Sequence, residues 1–195
     1  MGTLAPHRPA WIAALAITVI ALGVLLAMGR PPICTCGTVE LWYGNINGPG
    51  NSQHLSDWYT PSHIIHGMLF YGLGWLLFRK WSLGNEQAGR WAFALAVFLE
   101  AAWEVVENSP FIIDRYRAVT VNWGYSGDSV INSMADIGWM SFGFWLAMRL
   151  PVKVTVALAV AAEIFTAVVV KDNLALNVLM LVWPLESVRA WQGAG

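Results

Sequence analysis

Three carboxylates, Glu100, Glu104 and Glu107, lie close together in one apolar stretch of the chain. On an α-helix the i, i+4, i+7 spacing places all three on one face, over about 10 Å of helix axis. A row of carboxylates that faced lipid would be too costly, so this face must meet protein, water or a cation. The spacing predicts a buried polar site along this helix.

Two other apolar stretches contain polar residues at helical spacing. His63 and His66 are three positions apart, and Asp128, Asn132 and Asp136 recur every four positions. Each set lies close to one face of its helix. Imidazole nitrogen and carboxylate and amide oxygens are ligands for divalent cations, and imidazole and carboxylate groups also transfer protons in general acid and base catalysis.

These stretches, together with Glu163, would bring about six negative charges into a small volume that contains only two histidines. Three arrangements would offset the charge. A divalent ion such as zinc, manganese, iron, magnesium or calcium would be ligated by the site. Alternatively, crowded carboxylates would share protons, or they would pair with Arg115, Arg117 or Lys171 from the connecting loops.

We predict roles for these residues on this basis. His66 and Glu104 are the predicted acid and base groups. Asp128 is equally explained as the N-cap of the helix that follows it, and Glu163, a lone acid in an apolar helix, fits a polar anchor better than a ligand. The predicted metal ligands are His63, His66, Glu100, Glu104, Asp128 and Asp136, and the predicted polar network around them is Glu107, Asn108, Asn132 and Glu163.

The composition is that of a membrane protein. Of the 195 residues, 57% are hydrophobic and only 12% are charged, and the mean hydropathy is +0.53. Twelve tryptophans, several near the ends of apolar runs, are typical of the interfacial belts of a bilayer. The formal net charge of −1, without a basic stripe, argues against nucleic acid as a partner. The chain is predicted to form one domain.

The apolar runs predict an all-α, polytopic membrane bundle of about five transmembrane helices. A last run, from 174 to 183, is too short to span and predicts an interfacial or half-inserted helix. Polar connections are expected at 30–61, which is rich in glycine and proline, and at 109–127, where Pro110 is expected to stop a helix. The five predicted spans are 11–28, 62–78, 91–107, 129–148 and 154–170.

Basic residues indicate the orientation of these spans. Arg79, Lys80 and Arg90 outnumber Glu86 between the second and third spans, and Arg149 and Lys153 lie between the fourth and fifth. The excess of positive charge predicts that these short loops are cytoplasmic, which places the N-terminus inside and the 30–61 loop outside. The first run also has features of a signal peptide, but the alternation of the later spans favours an anchor that is retained.

Counting 1.5 Å per residue from the predicted outer helix ends gives each polar residue a depth. His63, Glu107 and Asp128 fall at the outer rim, whereas Glu100, Asp136 and Glu163 fall roughly 12 Å below it. His66, Glu104 and Asn132 lie between these layers. Residues in matching layers on four helices are expected to face one shared cavity. Small residues beside them would allow the helices to approach closely; they are Gly67, Gly72 and Gly74 in the second span and Gly138 and Gly143 in the fourth.

The outer loop contains Cys34 and Cys36 in a Cys-Thr-Cys sequence. Two cysteines are too few for a disulfide framework, and a single C-x-C is a weak metal signal. A local or idle thiol pair is the simpler interpretation.

Four separated motifs resemble a bacterial inner-membrane family, the domain of unknown function 2585. They are Thr-Pro-Ser-His-Ile-Ile-His-Gly at 60–67, Glu-Ala-Ala-Trp-Glu-Val-Val-Glu-Asn-Ser-Pro at 100–110, Gly-Asp-Ser-Val-Ile-Asn-Ser-Met-Ala-Asp at 127–136, and Asp-Asn-Leu-Ala-Leu-Asn-Val-Leu-Met-Leu-Val-Trp-Pro-Leu-Glu at 172–186. The similarity covers nearly the whole chain. It implies a membrane location and a fold, but no particular activity.

A looser similarity connects the chain with VanZ-like membrane proteins. It rests on the order of a histidine, His63 or His66, then Glu104, and then Asp128, Asn132 and Gly138 on a later helix. The chain departs from that pattern at Glu107, Asn108 and Asp136 and in its long cysteine-containing loop, so no antibiotic-related role is transferred to it.

Two functions from different classes follow. In the first, a periplasm-facing acidic and histidine site, loaded with a metal, acts on or binds a lipid or lipid-linked head group from the outer leaflet. In the second, the protein is a structural or interaction protein, and the polar network only fixes helix packing while the outer loop binds a partner. Proton-coupled transport is a weaker third hypothesis, because the chain has no inverted repeat.

Overall fold

The computed structural model describes residues 6–80, 86–120 and 124–193, and all of the regular structure in these ranges is helical. Predictions for the loop residues 81–85 and 121–123 therefore lie outside the described residues. A π-helical turn, Leu76–Lys80, continues the second helix. The α-helices are α1 (Arg8–Ala27), α2 (Thr60–Trp75), α3 (Glu86–Gly89), α4 (Ala92–Glu107), α5 (Pro110–Val119), α6 (Val130–Arg149), α7 (Val152–Val170), α8 (Leu174–Val182) and α9 (Glu186–Gly193).

The five long helices coincide with the five predicted apolar spans to within about three residues at each end. Among the described helices, α1 and α7 are long and apolar enough to cross a membrane. Both are among the least buried parts of the fold, which fits a lipid-facing position. The all-helical fold is thus confirmed, whereas the membrane crossing of the five long helices stays a prediction.

The apolar core forms where α1, α4 and α6 meet. Ala14 and Ala21 of α1 pack against α4, and Met140 and Phe144 of α6 close the core from the other side. Trp11 of α1 also contacts the ring of Phe93 at the start of α4, with 4.5 Å between ring centroids. The first helix is therefore part of the packed bundle, and its retention as an anchor stays a prediction.

Helices α2 and α6 pack backbone against backbone. A Cβ atom built on Gly67 would lie 1.9 Å from the carbonyl oxygen of Met140, and one built on Gly143 would lie 1.9 Å from that of Ile64. No side chain fits at either position. The predicted role of these two glycines is confirmed, whereas Gly138 has open space around it.

One connection predicted to be irregular is helical. The helix α4 ends at Glu107, just before Pro110 as predicted, but Pro110 also begins α5, with Ser109 as the N-cap whose hydroxyl accepts a hydrogen bond from the Ile112 amide. Proline is favoured in the first helical turn because its missing N–H has no intrahelical partner there. The short helix predicted near the C-terminus is present as α8, and α9 follows it.

Candidate functional site

A single carboxylate holds both histidines of α2. His63 Nδ1 lies 2.6 Å from Glu100 Oε1, and His66 Nδ1 lies 2.9 Å from Glu100 Oε2. Glu100 is completely buried, so both of its oxygens are occupied by imidazole N–H groups in the interior. If both rings donate from Nδ1, each leaves Nε2 as its acceptor or metal-binding atom.

His63 lies at the centre of the predicted site. Its Nε2 is 3.6 Å from Asp136 Oδ2 on α6, and its Nδ1 is 3.7 Å from Glu104 Oε1 on α4. Side chains from α4 and α6 therefore meet at the His63 ring, Glu104 on its Nδ1 side and Asp136 on its Nε2 side. His63, Glu104 and Asp136 each offer a ligand atom within 4.8 Å of the other two.

The Glu104 carboxylate is buried without a hydrogen-bond partner. The residue is 0% exposed, and neither Oε1 nor Oε2 accepts a hydrogen bond. A buried carboxylate without partners is costly, and the usual solutions are a proton or a cation. The donor set fits a cation: zinc and similar ions bind imidazole and carboxylate at about 2.0–2.2 Å, so a small contraction of this cluster would complete the coordination.

Glu100 has a different role from that of a direct ligand in this geometry. Because it accepts from His63 Nδ1, it orients the ring so that Nε2 points towards Asp136. A carboxylate that fixes a ligating histidine in this way is common behind metal sites. The second group of potential ligands, His63, His66 and Glu100, shares these atoms with the hydrogen bonds just described.

Asp128 lies in a separate cluster with Asn108. The Asn108 Nδ2 group donates to Asp128 Oδ2 and its Oδ1 accepts from the Asp128 amide, both at 2.7 Å. The Tyr125 hydroxyl donates to the other carboxylate oxygen of Asp128 at 2.9 Å. Asp128 is not in either three-residue group around His63. Nor is it the N-cap of α6, because Ser129 occupies that position.

Asn132 anchors the outer loop. Its Nδ2 donates to the His54 carbonyl at 2.8 Å, and the Ser129 hydroxyl donates to the Gln53 carbonyl at 2.9 Å. Further along α6, Trp139 Nε1 donates to the Leu55 carbonyl. The loop residues 52–55 therefore run beside α6 from its first residue to its third turn.

This loop explains why the predicted layers are wrong. His63 was placed level with Glu107 and Asp128, yet it contacts Glu100 and Asp136, which lie about two turns further along their helices. Residues 53–55 are bound along α6, and α2 begins roughly one turn deeper than the adjacent ends of α4 and α6: His63 is only three residues into α2, whereas Glu100 is seven residues from the end of α4 and Asp136 is six residues into α6. Counting from helix ends assumes that all ends have the same height, and here they do not.

Glu163 is not in the layer of Glu100 and Asp136. Its carboxylate accepts hydrogen bonds from the amides of Leu174 and Ala175, at 3.1 and 3.0 Å. It therefore holds the N-terminus of α8, where backbone N–H groups favour a negative charge. Its predicted place in the network around His63 is wrong, although the predicted function as a polar anchor agrees with these contacts.

The arginines of the connecting segments do not neutralise the buried acids. Arg115 Nε donates to the Leu181 carbonyl, and Arg117 Nε donates to the Tyr125 carbonyl. Among the residues that the structure describes, the acid in salt-bridge contact with Arg117 is the exposed Asp114, at 3.7 Å. Of the three predicted ways to offset the charge, pairing with Arg115 or Arg117 is wrong.

A cavity of about 140 Å³ opens beside His63, His66 and Asp136. Among the lining residues that were not predicted from the sequence are Asp57, Tyr59 and Asp172. Asp57 precedes α2 by three residues, and Asp172 precedes α8 by two, so acids just ahead of a helix were the available signal. The other lining residues are Ser52, Ser62, Trp103, Glu107, Tyr116, Thr120, Tyr125, Asp128, Asn132, Leu174, Asn177 and Val178.

Burial raises the pKa of the acids at the cavity wall that lie outside the apolar spans. It raises the pKa of Asp172 to about 6, although its amide and hydroxyl partners act in the opposite direction. The pKa values of Asp57 and Asp128 are also raised by burial, again against the effect of their hydrogen bonds. The cavity is therefore a place where negative charge is costly unless a positive charge enters.

Cys34 and Cys36 form a disulfide, so neither is an idle thiol. Their sulfur atoms also lie near His54, within 4.8 Å for the ligand atoms of the three residues. Because the His54 Nδ1 atom accepts a hydrogen bond from the Glu40 amide and the sulfurs are bonded to each other, this group is occupied structurally.

The chain has close relatives among known proteins. It is 56% identical to a UPF0314 protein of Novosphingobium aromaticivorans over 192 residues, which is 98% of this chain and 96% of that protein. It is 54% identical to a UPF0314 protein of Rhizobium etli over 188 residues, covering 96% and 93%, and 53% identical to one of Paracoccus denitrificans over 186 residues, covering 95% and 93%. No solved structure matches the chain.

The similarity to VanZ-like proteins stays a prediction. The family model described as a protein of unknown function, DUF2585, matches residues 25–194 and so includes the histidines of α2, the acids of α4 and α6, and α8. This match and the relatives above show that the chain belongs to the DUF2585 family.

Proposed function

We propose that the protein is a multi-pass protein of the bacterial inner membrane, in which a divalent metal ion at His63, Glu104 and Asp136 serves a site for a lipid or lipid-linked head group. The observation that supports this most directly is the unpartnered, fully buried carboxylate of Glu104 beside His63. The remaining arguments concern the membrane, the chemistry of the cluster and the route of the ligand.

The membrane assignment rests on the exposed apolar helices and the basic loops. The α1 and α7 helices are long enough to cross, and α2, α4 and α6 pack between or beside them. Arg79, Lys80 and Arg90 lie at the same end of the bundle as Arg149 and Lys153, which fits a cytoplasmic N-terminus. The cavity lies at the opposite end, facing the periplasm in this orientation.

The residues of the cluster have distinct tasks in this proposal. Asp136, Glu104 and the Nε2 atom of His63 bind the ion, while Glu100 holds both imidazole rings from behind. A divalent ion there would polarise a phosphoryl or carbonyl oxygen and make a bound water more acidic. His66 lines the cavity with its Nδ1 fixed by Glu100, so its Nε2 is available to accept or donate a proton.

A lateral route for a lipid is suggested by α8. Leu174, Asn177 and Val178 of this helix line the cavity, whereas Val182 and Trp183 at its far end are 76% and 70% exposed. A short apolar helix with an exposed tryptophan at its end is typical of an interfacial position. A head group would pass from the outer leaflet beneath α8 into the cavity.

Metal analysis of the purified, detergent-solubilised protein is the test. We expect about one divalent ion per chain and a lower melting temperature after chelation. Glu104→Gln should reduce metal affinity at least tenfold, because it removes a charged ligand. Glu163→Gln is the control: it alters a half-buried carboxylate that is already bound to backbone amides and should leave the metal content unchanged. An absence of metal, with chelation leaving the melting temperature unaltered, would refute the proposal.

A structural role is the second candidate, and one observation favours it. The His63–Glu100–His66 hydrogen bonds join α2 to α4 without any ion, next to the tight α2–α6 contact. In that case Glu104 is protonated, and Glu104→Gln, which mimics the neutral acid, should preserve stability in protein that contains no metal. The two candidates therefore differ in metal content and in the response to chelation.

A further inference from the structure

The walls of the cavity combine an excess of acids with aromatic rings. Five carboxyl groups line it, and no lysine or arginine does so among the residues that the structure describes. Tyr59, Trp103, Tyr116 and Tyr125 supply four aromatic side chains to the same wall. The five acids are Asp57, Glu107, Asp128, Asp136 and Asp172.

The tyrosine hydroxyls are already engaged. Tyr59 donates to Asp172, Tyr125 donates to Asp128, and Tyr116 donates to the side-chain oxygen of Asn177 at 2.6 Å. The tyrosines thus have no free O–H donor for an anion or a sugar hydroxyl. What they offer a ligand is ring surface, which attracts cations through the quadrupole of the ring.

The acids at the wall are held as acceptors. Asp57 accepts from the amides of Ser52 and Tyr59, and Asp172 accepts from the side chains of Tyr59 and Gln192. A phosphate group would meet the five carboxyl groups of the wall and would be favoured only beside the metal and the two histidines. A positive group would be favoured by the acids and by the rings together.

From these contacts we propose that the cavity beside the metal cluster binds the alkylated ammonium group of a zwitterionic head group. This deepens the proposed function and rests on it for the anionic part of the head group, which would lie at His63 and Asp136. The volume agrees: an apolar cavity of about 150 Å³ admits a molecule of about six non-hydrogen atoms, the size of a trimethylammonioethyl group. Rings suit this group better than a bare ammonium ion, because its methyl groups bury apolar surface while its charge faces the π-systems.

The experiment compares choline with 3,3-dimethylbutan-1-ol, its neutral isostere of the same shape. Binding to the detergent-solubilised full-length protein is followed by tryptophan fluorescence and checked by calorimetry, in both chelated and metal-loaded protein. We expect choline to bind at least tenfold more tightly than the alcohol. Equal binding of the two, or no binding of choline by folded protein, would overturn the inference.

A pair of variants locates the site. Tyr116→Phe keeps the ring and should retain choline binding to within about threefold, whereas Tyr116→Leu should weaken it at least tenfold. The melting temperature of each variant shows whether it is folded. If Tyr116→Leu does not fold, Asp172→Asn replaces it, and the preference for choline over the alcohol should fall. Retention of the full preference in these folded variants would contradict the assignment.

The outcomes separate this inference from the proposed function. Stoichiometric metal without choline binding leaves the metal site intact and removes the ammonium group from the substrate class. Choline binding in protein that contains no metal, before or after loading, supports the cation pocket and refutes the metal site.

Discussion

Substituting Gly67 by alanine should push α2 and α6 apart and disrupt the site. The new Cβ would lie 1.9 Å from the Met140 carbonyl oxygen and 2.5 Å from the Phe144 amide nitrogen. Ordinary contact begins at 3.4 Å, so the two backbones must separate by about 1.5 Å. Because these neighbours are backbone atoms, no rotamer change can absorb the movement.

The displacement acts directly on the candidate metal ligands. His63 is four residues before Gly67 on α2, and Asp136 is four residues before Met140 on α6. A metal site tolerates deviations of about 0.2 Å in its ligand distances, far less than this separation. Overpacking costs about 1–3 kcal/mol, of which the better helix propensity of alanine returns at most about 1 kcal/mol. The net loss in the free energy of unfolding is therefore up to about 2 kcal/mol, which lowers the melting temperature of a chain of this length by up to about 8 °C.

Thermal unfolding and metal content in the same detergent are the assays. Gly72→Ala and Gly138→Ala are the matched controls, because no heavy atom lies within 4 Å of a Cβ built at either position. Both controls should melt at or slightly above the temperature of the unsubstituted protein. If Gly67→Ala behaves like them in stability and in metal content, the close contact of α2 and α6 does not position the site.

Three further outcomes follow from single contacts. Between pH 4 and pH 7 the free energy of unfolding should fall as the pH rises, because the pKa of Asp172 in the folded state, about 6, exceeds its ordinary value of 3.8 and the folded state retains the proton longer. The full effect is about 3 kcal/mol. In unfolding measurements at a series of pH values, Asp172→Asn should flatten this part of the curve. Asn132→Ala should speed proteolysis of the 30–59 loop and lower the free energy of unfolding by about 1–3 kcal/mol, since it leaves the His54 carbonyl unpaired. The control Asn47→Ala, at an exposed position, should do neither. Equal cleavage rates would show that Asn132 does not hold the loop against α6. Intact-protein mass spectrometry should detect no alkylated cysteine until a reductant is added, and alkylation without reductant would disprove the disulfide. Replacing Cys34 and Cys36 by serine should lower the free energy of unfolding by only about 1–2 kcal/mol, because the disulfide closes a very short loop.

The helices and the polar faces could be predicted from the sequence because both depend on local periodicity. The apolar runs end at charged residues, prolines and glycines, and so give the bounds of α4 and α7 closely. The spacing of Glu100 and Glu104 fixes their common face whatever the neighbours are. The prediction that His63 meets Glu104 and Asp136 in one site agrees with the distances between them.

The relative heights of the helices could not be predicted, because they depend on the long loop. Whether residues 52–55 pass over or beside α6 is decided by hydrogen bonds to Ser129, Asn132 and Trp139, which are more than 70 positions away in the chain. The same limit applies to Glu163, whose partners become neighbours only when the chain turns back at Lys171. Contacts of this kind follow from tertiary packing and have no local signature.

The hydrogen bonds between the outer loop and α6 also impose an order on folding during biosynthesis. Gln53 and Ser129 are 76 residues apart, so a ribosome that adds about 5–20 residues per second needs on the order of 4 to 15 s to supply the second partner after the first. During that interval the loop lacks its main docking surface, whereas Cys34 and Cys36, only two positions apart, can already be joined. Oxidation can therefore precede docking, and a nascent chain arrested before α6 would have the disulfide in an otherwise protease-sensitive loop.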